Sequence, residues 1–185
     1  KNKCDYILSL NADVIIDQNT IQKLVNSSIN NSSPIVASIV VDNLDPSKIA
    51  WAGSRFKKLH KILPIYVSKY IKKYGTKINE IGQEIYDVDE VHGRGVVISK
   101  EVFKIIGNYD AHNFPHYGAD TDFSFRAKKA GIRLIVDPKC ISKVFIYNTG
   151  LPHYNNQSFI QRTKSIFNYL TKTKYGDALN VQWKI

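Results

Sequence analysis

The order strand, helix, strand within the first forty residues constrains the fold more than any other feature. Cys4 to Val14 (CDYILSLNADV) carries an apolar run, Tyr6, Ile7, Leu8 and Leu10, and then turns polar, which predicts a buried strand. Asp17 or Asn19 can cap a following helix, in which Ile21, Leu24, Val25 and Ile29 recur at helical spacing and share one face. NNSSP ends that helix, and Ile35 to Val41 (IVASIVV), rich in β-branched residues, predicts the next strand. This succession is the unit of parallel sheets and predicts an α/β domain.

Further along, Lys48 to Phe56 reads as a strand with a glycine break. A basic, aromatic region, Lys57 to Lys77, follows; Val67, Tyr70, Ile71 and Tyr74 keep helical spacing there, with Gly75 as a C-cap. Tyr86 to Ser99 (YDVDEVHGRGVVIS) predicts strands around a glycine turn. Ser99 caps a short helix with Val102, Phe103 and Ile106 inward and Gly107 at its end. A helix is expected from Thr121 to Ala130, stopped by Gly131, and then a strand, Ile132 to Pro138, ended by its proline. Residues 1–150 read as one domain. Residues 151–185 read as an extension, a turn-rich linker followed by an amphipathic helix on which Phe159, Ile160, Thr163, Phe167 and Leu170 share a face.

Composition narrows the class. With 185 residues and 43% hydrophobic content the chain can bury a core. No apolar run approaches the roughly 20 residues that span a bilayer. Cys4 and Cys140 lie far apart without metal-ligand spacing, so two free thiols in a reducing, cytoplasmic setting are expected. The net charge of +10 favours an anionic partner: nucleic acid, a membrane surface or phosphorylated substrates. No nucleic-acid-binding motif is present, which leaves the lysine-rich stretches Arg55 to Lys77 and Arg162 to Lys174 to solvent, anionic lipid or a pyrophosphate-linked acceptor.

Four groups of residues could carry chemistry. Asn11 and Asp13 stand where the first strand ends, and ligands of open sheets bind beyond the carboxyl ends of strands. A carboxylate there can hold a hard divalent cation, though both residues also suit a plain turn. Asp120 and Asp122 open the helix after the loop NFPHYGA. Asp120 suits an N-cap and Asp122 a first-turn anion paired with Arg126 four residues on, yet either can serve as a general base in a cleft. Gly93 and Gly95 allow unusual backbone angles or the close approach of a ligand, and equally suit a bulge. The histidines, His60, His92, His112, His116 and His153, show no tight metal spacing; His92 and His116 flank the other motifs.

Taken in order, LSLNADV, VHGRGVVISKEVFKIIGNYD and FPHYGADTDFSFRAKKAGIRLIVDP resemble the second half of the catalytic domain of a family 2 glycosyltransferase, across Cys4 to Pro138. The resemblance implies a Rossmann-like GT-A fold, a mostly parallel sheet with flanking helices, and inverting transfer of a sugar from a nucleoside-diphosphate sugar of UDP or dTDP type. It implies a metal-binding Asp13 holding Mg²⁺ or Mn²⁺, with Asn11 beside it on the donor diphosphate, and Asp120 as catalytic base. His92, Gly93, Arg94, His116 and Tyr117 would lie on the acceptor side, under covers formed by Arg55 to Tyr86 and His112 to Ala119. The acceptor would be a saccharide or lipid-linked glycan, met at the inner face of a membrane. Ala119 stands where the family has glutamate, and His153 is the nearest match to a histidine that the family carries after the DP strand. The domain's first half, with its nucleobase loop, is expected outside these residues, since the chain begins at Lys1 and has no methionine; the chain alone would then be nearly inactive. A nucleotidyltransferase of similar build and a non-catalytic glycan- or membrane-binding module share the same features.

Overall fold

The computed structural model describes residues 4–58, 66–115 and 118–146. The helix expected after Pro152 therefore lies outside the described residues, as do His60, His116, Tyr117 and His153. The chain is a mixed α/β structure. Its strands are β1 (Tyr6–Leu10), β2 (Val14–Ile16), β3 (Ile35–Asp42), β4 (Ile49–Trp51), β5 (Ser54–Lys58), β6 (Tyr66–Tyr70), β7 (Tyr86–Val88), β8 (Arg94–Ser99) and β9 (Leu134–Val144). The helices are α1 (Thr20–Asn30), α2 (Lys100–Ile106) and α3 (Ala119–Lys129).

The main sheet runs β1-β8-β3-β9-β2, with β4 also on β3 and β7 also on β9. Among the described strands only β3 and β9 pair in parallel. The expectation of a mostly parallel sheet is therefore corrected. Strand, helix, strand does bring β1 and β3 into one sheet, but β8 enters between them and runs against both. Local periodicity reports that a strand exists, not which distant strand will separate it from its neighbour.

Helices cover both faces. On one, Leu24 of α1 packs with Val36, Val97, Ile135 and Cys140. On the other, Val102 of α2 and Phe123 and Ala127 of α3 join Ile35, Ala37, Val96, Ile98 and Leu134. Central strands buried on two sides need apolar residues at nearly every position, which IVASIVV supplies, its one polar residue, Ser38, being hydrogen-bonded. The α1 face differs from the expected one. Thr20, Leu24, Ser27 and Ser28 are buried, whereas Ile21 and Ile29 are exposed. Small hydroxyl residues let the helix settle close to the sheet: Thr20 donates to the Ile141 carbonyl of β9 (3.4 Å) and Ser28 to the Ser33 carbonyl just ahead of β3 (2.6 Å).

Two more expectations change. The helical spacing at Val67 to Tyr74 belongs in part to β6, which forms a two-stranded antiparallel sheet with β5. Gly75 takes φ +79° in a turn rather than closing a helix. Pro138 does not end its strand; β9 continues to Val144, and the β3 ladder jumps from Ser38↔Asp137 to Ile39↔Ile141, so a bulge takes up the residue that cannot donate. Ser99 does cap α2, accepting from the Glu101 amide (3.4 Å), and Gly107 closes it at φ +76°. Both cysteines are free, Cys140 buried, and burial pushes its thiol up to about 12. No described helix is long and apolar enough to cross a membrane.

Gly95 makes the β1–β8 bulge at φ +100°, and a Cβ there would stand 2.7 Å from Ser38 Oγ. That hydroxyl lies against Ser142 Oγ (2.8 Å), and both reach the Arg94 carbonyl. Gly95→Ala is expected to lower stability by about 2 kcal/mol through backbone strain and contact together. Urea unfolding checks this, with an unchanged midpoint as the contrary outcome.

Candidate active site

Three segments far apart in sequence meet at the carboxyl end of β1. As β1 runs out, the Asn11 amide donates to the Gly93 carbonyl (2.6 Å), and the Asn11 carbonyl accepts from Val14 to close a turn (3.2 Å). Gly93 precedes β8, β1's partner, and the pairing Leu10↔Arg94 sets it beside Asn11. Its own amide donates to Asp120 Oδ2 in the first turn of α3 (3.1 Å). A Cβ on Gly93 would lie 2.8 Å from Asn11 Oδ1 and 3.1 Å from Ser9 Oγ, so a larger residue there would push the Asn11 side chain aside.

The cap of α3 is not the one expected. Gly118, in the left-handed region at φ +87°, is the N-cap, and the helix begins at Ala119. Asp120 therefore sits inside the first turn, and its carboxylate reaches across to Gly93 instead of capping its own helix. Its Oδ1 carries no hydrogen bond among the described residues. Asp122 takes the predicted pair, receiving Arg126 Nε at 2.8 Å. Arg126 also donates to the Ile106 and Asn108 carbonyls, fastening α3 to the end of α2.

Asp13 is exposed in the turn beyond β1, with no hydrogen-bond or ion-pair partner among the described residues. Among those residues no three His, Cys, Asp or Glu side chains form a metal cage. A cation bridging a diphosphate takes most of its oxygens from phosphate and water and needs one or two from protein. Asp13 fits that requirement and does not fit an all-protein site.

His92 lies between opposing influences. Burial pushes its imidazole down from the usual value, while the charges of Glu90 and Asp120 push it up and that of Arg94 pushes it down. Its ring stands edge-on to Trp51 (5.2 Å). Gly93 bonds to Asp120, and His92 feels its charge and that of Arg94; His112 is exposed in a turn. The wall over α3 is the β5–β6 hairpin, where Phe56 and Tyr66 each lie 5.7 Å from the Phe125 ring.

Sequence reading missed Tyr109 and Glu90. Tyr109 stacks on Phe123 (4.4 Å), and its phenol is pushed up to about 12, first by burial and then by the charge of Asp120. Glu90 is 1% exposed and sits directly beneath His92. No family model matches the chain, and no curated protein matches it.

The neutral Tyr109 phenol is favoured in the fold, so the stability tied to it is present below pH 10 and lost as pH rises towards about 12. Carbon-13 NMR of labelled tyrosine rings should show the Tyr109 midpoint raised towards about 12. Asp120→Asn should move its midpoint downward; an unmoved midpoint would mean the two groups do not feel each other.

Proposed function

We propose that the chain provides the metal-binding and acceptor sides of an inverting glycosyltransferase of GT-A type. The observation that carries the reading is the meeting of Asn11, Gly93 and Asp120, three separate motifs, at the carboxyl end of β1. The donor would be a UDP- or dTDP-type sugar. Its diphosphate would lie over the Asn11–Val14 turn, within reach of Asp13. A bound Mg²⁺ or Mn²⁺ would supply charge neutralisation there.

The acceptor hydroxyl would stand at Asp120 Oδ1, with Oδ2 occupied by the Gly93 amide. As the acceptor oxygen attacks the anomeric carbon from the face opposite the diphosphate, Asp120 takes its proton. The bond from that carbon to the diphosphate breaks, and its electron pair leaves with the diphosphate. One base and one displacement invert the centre; a retaining enzyme would need a carboxylate nucleophile as well. The hairpin and the aromatic residues on α3 would exclude water, which otherwise hydrolyses the donor. A saccharide or lipid-linked acceptor at an anionic membrane surface suits the net charge of +10.

Asp120→Asn in the full-length protein keeps the shape and the Gly93 contact but removes the base, and is expected to lower turnover by about 10²- to 10⁴-fold with folding unchanged. Turnover close to wild type would remove the assignment. Asp13→Ala should weaken cation-dependent donor binding by about tenfold or more in calorimetry with Mn²⁺. Unchanged binding would take Asp13 out of the site.

A further inference from the structure

Glu90 is a buried carboxylate that the proposed reaction does not use. Among the described residues no lysine or arginine lies within ion-pair distance of it; the nearest basic group is His92 Nε2 at 4.0 Å. It accepts instead from hydroxyls on two different elements, Thr121 Oγ1 of α3 at 2.6 Å and Ser68 of β6. Its backbone is tied as well, since the Asp89 and Glu90 amides both donate to the Ser54 carbonyl at the start of β5 (2.9 and 3.3 Å). The next residues extend the seam: the Val91 amide donates to Ser124 Oγ (3.1 Å) and the Gly93 amide to Asp120. Residues 90, 91 and 93 thus bind 121, 124 and 120, rung by rung, and Glu90 is the one rung that also reaches the hairpin.

A buried carboxylate without a cationic partner stabilises a fold no better than an apolar side chain of its size. The two hydroxyls that meet it belong to the helix holding Asp120 and to the hairpin walling the acceptor side. We propose that Glu90 is a positioning residue, clamping the first turn of α3 and the β5–β6 hairpin to the 90–93 segment so that Asp120 keeps one orientation against Gly93. The proposal rests on the reading of Asp120 as base. The groups facing His92, the side chain above this clamp, are Glu90, Asp120, Arg94 and the Trp51 ring.

The test uses Glu90→Leu and Thr121→Val in the protein, with Thr121→Ser as the variant that keeps the hydroxyl. Amide exchange at Gly93 reports directly whether Asp120 stays in place. Exchange there is expected to become about tenfold faster or more in Glu90→Leu and Thr121→Val and to return in Thr121→Ser, with Tm close to wild type. Turnover should fall about ten- to a hundredfold in the same two variants, with the acceptor KM within about twofold, the signature of a displaced group and not of lost binding. Unchanged Gly93 exchange in a folded variant overturns the proposal, and so does faster exchange with unchanged turnover. If Glu90→Leu does not fold, Thr121→Val and Ser68→Ala carry the same readouts. Should Asp120→Asn turn over like wild type, the base assignment falls separately, and Gly93 exchange still decides whether Glu90 holds Asp120.

Discussion

The parallel ladder between β3 and β9 is the constraint on which the rest depends. It runs from Ile35↔Leu134 to Asp42↔Val144 through the middle of the sheet, buried on both faces. Every other strand of the main sheet reaches it directly or through β8. A parallel pair cannot be closed by a hairpin, so some 90 residues of intervening chain must be stowed around it. β4 to β8, α2 and α3 are that intervening chain: β4, β7 and β8 join the sheet, and α2 and α3 pack on the face that carries Phe123 and Val102. The candidate site is made by what this excursion brings back to β1.

At that point one glycine does the joining. Gly93 accepts from the Asn11 amide through its carbonyl and donates to Asp120 through its amide, with no side chain to hold the segments apart. Peptide groups are rigid, so two bonds from adjacent peptides fix the separation of the Asn11 turn and the α3 carboxylate more firmly than flexible side chains would. The same economy appears in Arg94, whose carbonyl accepts from both Ser38 and Ser142 and so docks β8 onto the central ladder.

Much of this was legible in the sequence, and the failures have physical causes. IVASIVV, the Ser99 cap and the Asp122–Arg126 pair depend on neighbours within a turn or a strand, and they stand where local rules put them. The antiparallel entry of β8, the pairing of β6 with β5 and the bulge at Pro138 are decided by residues many positions away, which periodicity cannot see. Asn11, Gly93 and Asp120 were each visible as motif residues, but their contact was not. Glu90 does not stand out from the neighbouring Asp87 and Asp89 in the sequence, because what distinguishes it is distant: its partners are Thr121, 31 positions on, and Ser68, 22 positions back.

Asp120 and Asp122 show how two like residues on one helical turn part company. Residues two apart on a helix face different ways, so the pair meets different surroundings. Asp122, with a side chain 13% exposed, is held by a guanidinium that also binds two backbone carbonyls, so its oxygens are engaged within the fold. Asp120 faces β1, where one amide fixes a single oxygen and no described cation neutralises it. Capping the helix with Gly118 is what frees it, since an N-cap aspartate spends its carboxylate on its own helix. With Gly118 at the cap, the two carboxylates are left to different partners, Gly93 for Asp120 and Arg126 for Asp122.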